Sequence, residues 1–146
     1  MGLADILLAP QRRQAVITDC VRLIETHVDS RGGLKGMALK TGMAILKKAK
    51  PGLIERATAA LLPEFAAALD PLHREFRDSG TSDFAAFLRA HAAQATQALL
   101  QVADARVGES DSSTVQSTYA RMRGSAETEV LAVMPGLAQL IGAHLA

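Results

Sequence analysis

The sequence predicts an all-α fold: one domain, residues 1–146, built as a bundle of about six to eight helices, several of them short or kinked at proline. Three observations carry that expectation. Apolar residues recur at helical spacing in nearly every segment. No segment shows the valine- and isoleucine-rich alternation of a strand. Alanine and leucine supply most of the 49% hydrophobic share, while aromatics make up only 3%, and such small side chains let helices approach one another closely. A chain of 146 residues is one domain on length and large enough to bury a core without disulfide or metal staples.

The elements follow in order. "DILLA" is a short opening turn, stopped by Pro10, which can also serve as the first residue of the next helix. Ile17, Cys20, Val21, Ile24 and Val28 then form an amphipathic stripe, and "DSRGG" supplies C-capping glycines. The lysine-rich stretch "GLKGMALKTGMAILKKAKPG" comes next and is closed by Pro51-Gly52. "LIERATAALL" meets Pro63 and "PEFAAALD" meets Pro71; each proline removes a helical N–H and is expected to bend or restart the helix, with Asp70 as an N-cap. "PLHREFRD" ends at Ser79-Gly80.

The longest uninterrupted helix is expected from Ser82 or Asp83 to about Arg106, with Phe84, Phe87, Leu88, Ala95, Leu99 and Val102 on its buried side. "GESDSST" is the clearest loop. "VQSTYARMR" predicts a short helix ending at Gly124. Ser125 then opens another in an imperfect capping box, with Glu127 and Glu129 in its first turn. Pro135-Gly136 interrupts, and "LAQLIGAHLA" closes the chain as an apolar helix.

The lysine-rich stretch is the most unusual feature. It holds all five lysines of the chain, at positions 35, 40, 47, 48 and 50, and no acidic residue lies between Asp29 and Glu55. On a helical wheel Leu34, Ala38, Gly42, Ile45, Leu46 and Ala49 share one face, and Lys40, Lys47 and Lys50 lie opposite. Ala38, Gly42 and Ala49 make the middle of the apolar face small, which predicts close packing there. Arg31, Lys35, Lys40, Lys47, Lys48 and Lys50 would meet an anionic partner as point charges. The net charge of +1 divides unevenly: residues 1–56 carry ten Lys/Arg and five Asp/Glu, net +5, and residues 57–146 carry six and ten, net −4. That split fits charge-complementary self-association or a basic surface for an anionic partner.

Several chemistries are excluded by spacing. A phosphate loop needs G-x-x-x-x-G-K-[ST] after a strand; Gly36 and Gly42 stand one residue too far apart, and Met43 follows Gly42. A recognition helix starting after Gly42 would end by Pro51, with Lys48 where an apolar residue is needed, so nucleic acid is not an expected partner. His27, His73, His91 and His144 are scattered over four helices, and Asp70 with His73 is a single degenerate copy of a di-iron motif. No metal or cofactor is expected. Cys20 sits on the apolar stripe as a small hydrophobe, beside an Asp19 that would raise its thiol pKa. No catalytic constellation appears, so the expectation is a non-enzymatic protein.

A lone cysteine fits a reducing compartment. The N-terminal stretch lacks the basic region of a signal peptide, and no run approaches the roughly 18 apolar residues of a membrane span. The expected location is cytoplasmic. The stretches "AKPGLIERATAALLPEFAAALDPLHREFR", "DFAAFL" and "MRGSAETEVLAVMPGLAQLI" resemble a family of small uncharacterised bacterial helical proteins with the same Lys-Pro-Gly, Leu-Leu-Pro and Leu-Asp-Pro punctuation. The resemblance covers most of the chain and implies a helical single domain, with no activity attached.

The function expected is protein–protein interaction, with the chain itself as partner in a homo-oligomer. Two alternatives stay open. One is a carrier that encloses an apolar ligand such as a fatty acyl chain, in a bundle opened at Pro63, Pro71 and Pro135. The other is binding of an anionic partner or a membrane surface through the lysine-rich helix, residues 31–50; no transmembrane segment is expected.

Overall fold

The computed structural model describes residues 2–145. Met1 and Ala146, the ends of the expected domain, lie outside the described residues. The chain is 86% helical and forms a single all-α domain. Seven helices are described, α1 (Leu3–Leu7), α2 (Arg13–Ser30), α3 (Gly33–Ala49), α4 (Leu53–Ser79), α5 (Phe84–Ala90), α6 (Ala92–Gly108) and α7 (Ser113–Leu145). Helix α7 is the spine, packing against α1, α2, α3, α5 and α6, while α4 closes the other side against α1, α2 and α6. The core between them is built from Leu3, Leu7, Val16, Leu62, Ala66, Leu69, Leu72, Leu88, Met134, Ala138 and Ile141.

Proline does less than the local rule predicts. Helix α4 runs through both Pro63 and Pro71, and α7 runs through Gly124 and Pro135. Tertiary burial explains this. Leu62, Ala66, Leu69 and Leu72 form one continuous buried stripe across both prolines of α4, and that stripe outweighs the hydrogen bonds lost, since helices in proteins owe most of their stability to packing. The longest helix is therefore α7, whereas the segment expected to be longest divides at His91 into α5 and α6. Read as three pieces, the end of the chain is too short to span a membrane. As one helix, α7 has the length and composition to do so, although five other helices cover parts of it.

Two expected caps take other roles. Asp70 lies inside α4, where its Oδ1 accepts the Leu3 backbone N–H at 2.9 Å and its Oδ2 accepts Arg74 Nε at 2.8 Å. It thus caps α1 across the bundle instead of opening a helix of its own. These two contacts, the Leu3 N–H first, hold its carboxyl below the usual range. Ser125 sits inside α7 and donates its hydroxyl back to the Met122 carbonyl at 3.2 Å. By contrast Asp83 caps α5 as its position suggested, accepting the Ala86 N–H at 3.1 Å. Gly52 (φ 73) and Gly80 (φ 77) take the left-handed conformation that starts and ends α4, where any other residue would be strained.

Candidate interaction surface

Helix α3 packs against α7, and more lightly against α2 and α4. Its position depends on glycines. A Cβ on Gly42 would lie 2.5 Å from Met122 Sδ, so the bare backbone makes room for a methionine of α7. A Cβ on Gly36 would lie 2.5 Å from the Arg31 carbonyl oxygen, so Gly36 lets the start of α3 fold against the end of α2. The close packing expected at Ala38, Gly42 and Ala49 is thus found at Gly42 only. Ala38 and Ala49 are exposed. Helix α7 carries further close approaches: a Cβ on Gly136 would meet Leu23 at 2.7 Å, and one on Gly142 would meet Ala85 at 3.2 Å.

The apolar face read from the wheel is only partly covered: Gly42 is buried, Ile45 and Leu46 are half-buried, and Leu34, Ala38 and Ala49 are exposed. Leu34 is 86% exposed, and Met37, on the flank of that face, 66%. With Leu131 they are the large exposed hydrophobic side chains described, and two of the three sit one turn apart on α3. Beside them a groove of about 370 Å³ runs between α3 and α7. Met37, Ala38, Ile45 and Met122 line it, Lys35 and Arg121 supply charge, and Thr118 of α7 forms part of its wall. The Thr118 hydroxyl is buried behind that wall and has no hydrogen-bond partner.

The cations divide into two groups. Lys35, Lys40, Lys47 and Lys48 are exposed. Lys50 is half-buried and stands 3.9 Å from Asp111. Arg31 leaves the proposed basic surface, because its Nη2 donates to Glu129 Oε2 at 2.9 Å, while His27 Nε2 meets Glu129 Oε1 at 2.7 Å. Glu129 is not in the first turn of a helix, as its sequence position suggested. It lies deep along α7 and ties down the end of α2. Sequence reasoning missed this cluster because the partners are separated by about 100 residues and share no local pattern; the pairings span 98 and 102 positions.

Other polar side chains also join helices. Asp104 of α6 accepts Tyr119 Oη at 2.7 Å and Arg123 Nε at 2.8 Å, both from α7. Arg123 and then Tyr119 hold the Asp104 carboxyl below its usual range. His144 Nε2 meets Asp19 Oδ2 at 2.7 Å, and Arg12 donates to the His144 carbonyl. Cys20 is half-buried against the core, and burial first, then Asp19, pushes its thiol up to about 11. Such a thiol is a poor nucleophile at neutral pH. Among the described residues no three His, Cys, Asp or Glu side chains are grouped to hold an ion.

The model of a family of unknown function, DUF6918, matches residues 3–145, nearly the whole chain. The chain belongs to DUF6918. The match spans all seven helices, so α3 and the α3–α7 groove lie within the family's domain and are not an appendage to it. No curated protein and no solved structure matches this DUF6918 chain.

Proposed function

We propose that this protein works non-enzymatically through its surfaces, and that a second copy of the chain seats on α3 and the α3–α7 groove. The observation that carries this is the pair Leu34 and Met37, exposed one turn apart beside a groove lined by Ile45 and Met122. Contiguous exposed apolar surface rimmed by charge marks an interaction site. Each of these side chains gains about 1.5–3 kcal/mol when fully buried. Charge complementarity favours a second copy as the occupant. Helix α3 carries lysines and no carboxylate, while the preceding α2 exposes Glu25 and Asp29 four residues apart. A partner copy therefore brings both an apolar patch and the carboxylates that Lys35 and Lys40 lack within their own helix.

The test is sedimentation velocity of the native chain and of the double variant Leu34→Glu, Met37→Glu. The native chain is expected to associate at micromolar concentration and the variant to stay monomeric with an unchanged melting temperature. A native chain that remains monomeric at high micromolar concentration overturns the proposal. The lysines and exposed apolar side chains of α3 also suit an anionic membrane surface. A monomeric chain that floats with phosphatidylserine vesicles, and loses this with Leu34→Glu, would put that reading in place of self-association.

A further inference from the structure

Both walls of the α3–α7 groove come from stretches without a carboxylate. Helix α3 has none along Gly33–Ala49, and α7 has none from residue 113 to residue 126. These stretches carry Lys35, Lys40, Lys47, Lys48, Arg121 and Arg123. Arg123 is engaged by Asp104 of α6, which also accepts Tyr119 Oη. Lys35 and Arg121 line the groove itself, one from each helix. Both are exposed, and among the described residues neither has an ion pair or a side-chain hydrogen bond. Met37, Leu39, Ile45 and Met122 are the large apolar side chains of the lining. At about 370 Å³ the groove falls within the range of small-ligand sites, roughly 300–1,000 Å³.

Two unpaired cations on an apolar groove, with no carboxylate in either wall, select a ligand that is negative at one end and apolar along the rest. We propose that the α3–α7 groove binds a single-chain amphiphilic anion, a medium-chain alkyl carboxylate. The chain lies along Met37, Leu39, Ile45 and Met122, and the flexible methionines adapt to its shape. The carboxylate meets Lys35 and Arg121 in charge-assisted contacts. A concave groove takes one free chain, whereas a bilayer presents a flat array of headgroups. Lys35 and Met37 belong both to this site and to the face assigned to a second copy, so ligand and second copy exclude one another. That competition rests on the self-association reading; binding itself does not.

The experiment is a titration of the native chain, labelled at its methionine methyls, with octanoate; hexanoate is the shorter chain and 1-octanol the uncharged control. Octanoate is expected to shift Met37 and Met122 saturably and to leave Met134, fully buried in the core, unmoved. With two methylenes fewer, hexanoate should bind about tenfold more weakly. The double variant Lys35→Gln, Arg121→Gln should weaken octanoate about fivefold and leave octanol unchanged. Because both side chains are exposed, that variant keeps its fold, which an unchanged melting temperature checks. Absence of saturable shifts at Met37 and Met122 with millimolar octanoate, shifts confined to Met134, or a double variant that binds octanoate as the native chain does, would each overturn the proposal. A chain that ignores octanoate but floats with phosphatidylserine vesicles would put a membrane surface in its place. Sedimentation separates this reading from the previous one. A chain that is monomeric without octanoate, yet binds it through Lys35 and Arg121, overturns self-association and supports the ligand site. An associated chain that octanoate converts to monomer supports both.

Discussion

Three glycine-to-alanine substitutions separate helix propensity from close packing. At Gly124, inside α7, a Cβ would meet nothing within 4 Å. Alanine there recovers the helix propensity that glycine lacks, about 0.8–1 kcal/mol of added stability. At Gly42 the same gain is opposed by Met122, whose Sδ would lie 2.5 Å from the new methyl. Overpacking costs about 1–3 kcal/mol, and a methionine yields more readily than a rigid side chain, so Gly42→Ala should be destabilised by about 0–2 kcal/mol. At Gly36 the obstacle is backbone: the Arg31 carbonyl oxygen at 2.5 Å and its carbon at 2.6 Å. The end of α2 cannot swing away, because Arg31 is tied to Glu129.

The full overpacking cost then applies at Gly36, and the net loss is about 2 kcal/mol. Gly124→Ala and Gly36→Ala should therefore differ by about 3 kcal/mol, or roughly 6–12 °C in melting temperature for a domain of this size. Urea denaturation at constant m value reads the difference directly. If Gly36→Ala proved as stable as Gly124→Ala, the close approach of α3 to the end of α2 would be refuted.

Further expectations follow from the polar contacts. Asp70→Ala leaves the Leu3 N–H without its acceptor and should cost about 1–2 kcal/mol in urea denaturation. Glu129→Ala leaves His27 and Arg31 without their shared carboxylate and should cost about 2–3 kcal/mol, more than either partner's removal relative to its exposure would suggest. Stability should fall in acid in two stages. The depressed pKa of His73 gives a contribution that is complete above its unfolded value of about 6.5 and is lost as pH falls toward the folded value; the depressed pKa values of Asp70 and Asp104 add a second loss below about 4. His73→Phe should remove the first stage in thermal melts recorded against pH. Tyr119 is shifted upward by burial first and then by Asp104, so its contribution is complete below about pH 10 and is lost on going higher. Cys20 should resist alkylation by iodoacetamide at neutral pH and react once the chain is unfolded; equal rates in both states would contradict its burial.

The helical class was legible because periodicity reports burial, and burial builds helices. Ile17 and Cys20 on the stripe of α2, and Phe84, Leu88, Ala95 and Leu99 on α5 and α6, do face the core. Helix ends were less legible. The rule that proline stops a helix is local, and at Pro63, Pro71 and Pro135 the buried residues on both sides override it. The break at His91 has no proline or glycine to announce it; His91 Nδ1 meets the Phe87 carbonyl at 2.8 Å, and its ring stacks on Phe87 at 4.2 Å. At the candidate surface the lysines were legible as an exposed face. That Leu34 would stay exposed was not, since a helical wheel identifies an apolar face without showing how much of it the rest of the chain covers. Gly42 was found from its place in that face. Gly36 was missed because its neighbour, the Arg31 carbonyl, lies in the preceding turn of chain rather than on a facing helix.

The most direct measurement of the central claim is the sedimentation of the native chain across the micromolar range beside the Leu34→Glu, Met37→Glu variant. Concentration-dependent association of the native chain, abolished in a variant that melts at the same temperature, is the predicted result. A native chain that sediments as a monomer throughout would contradict the assignment of α3 as the face for a second copy.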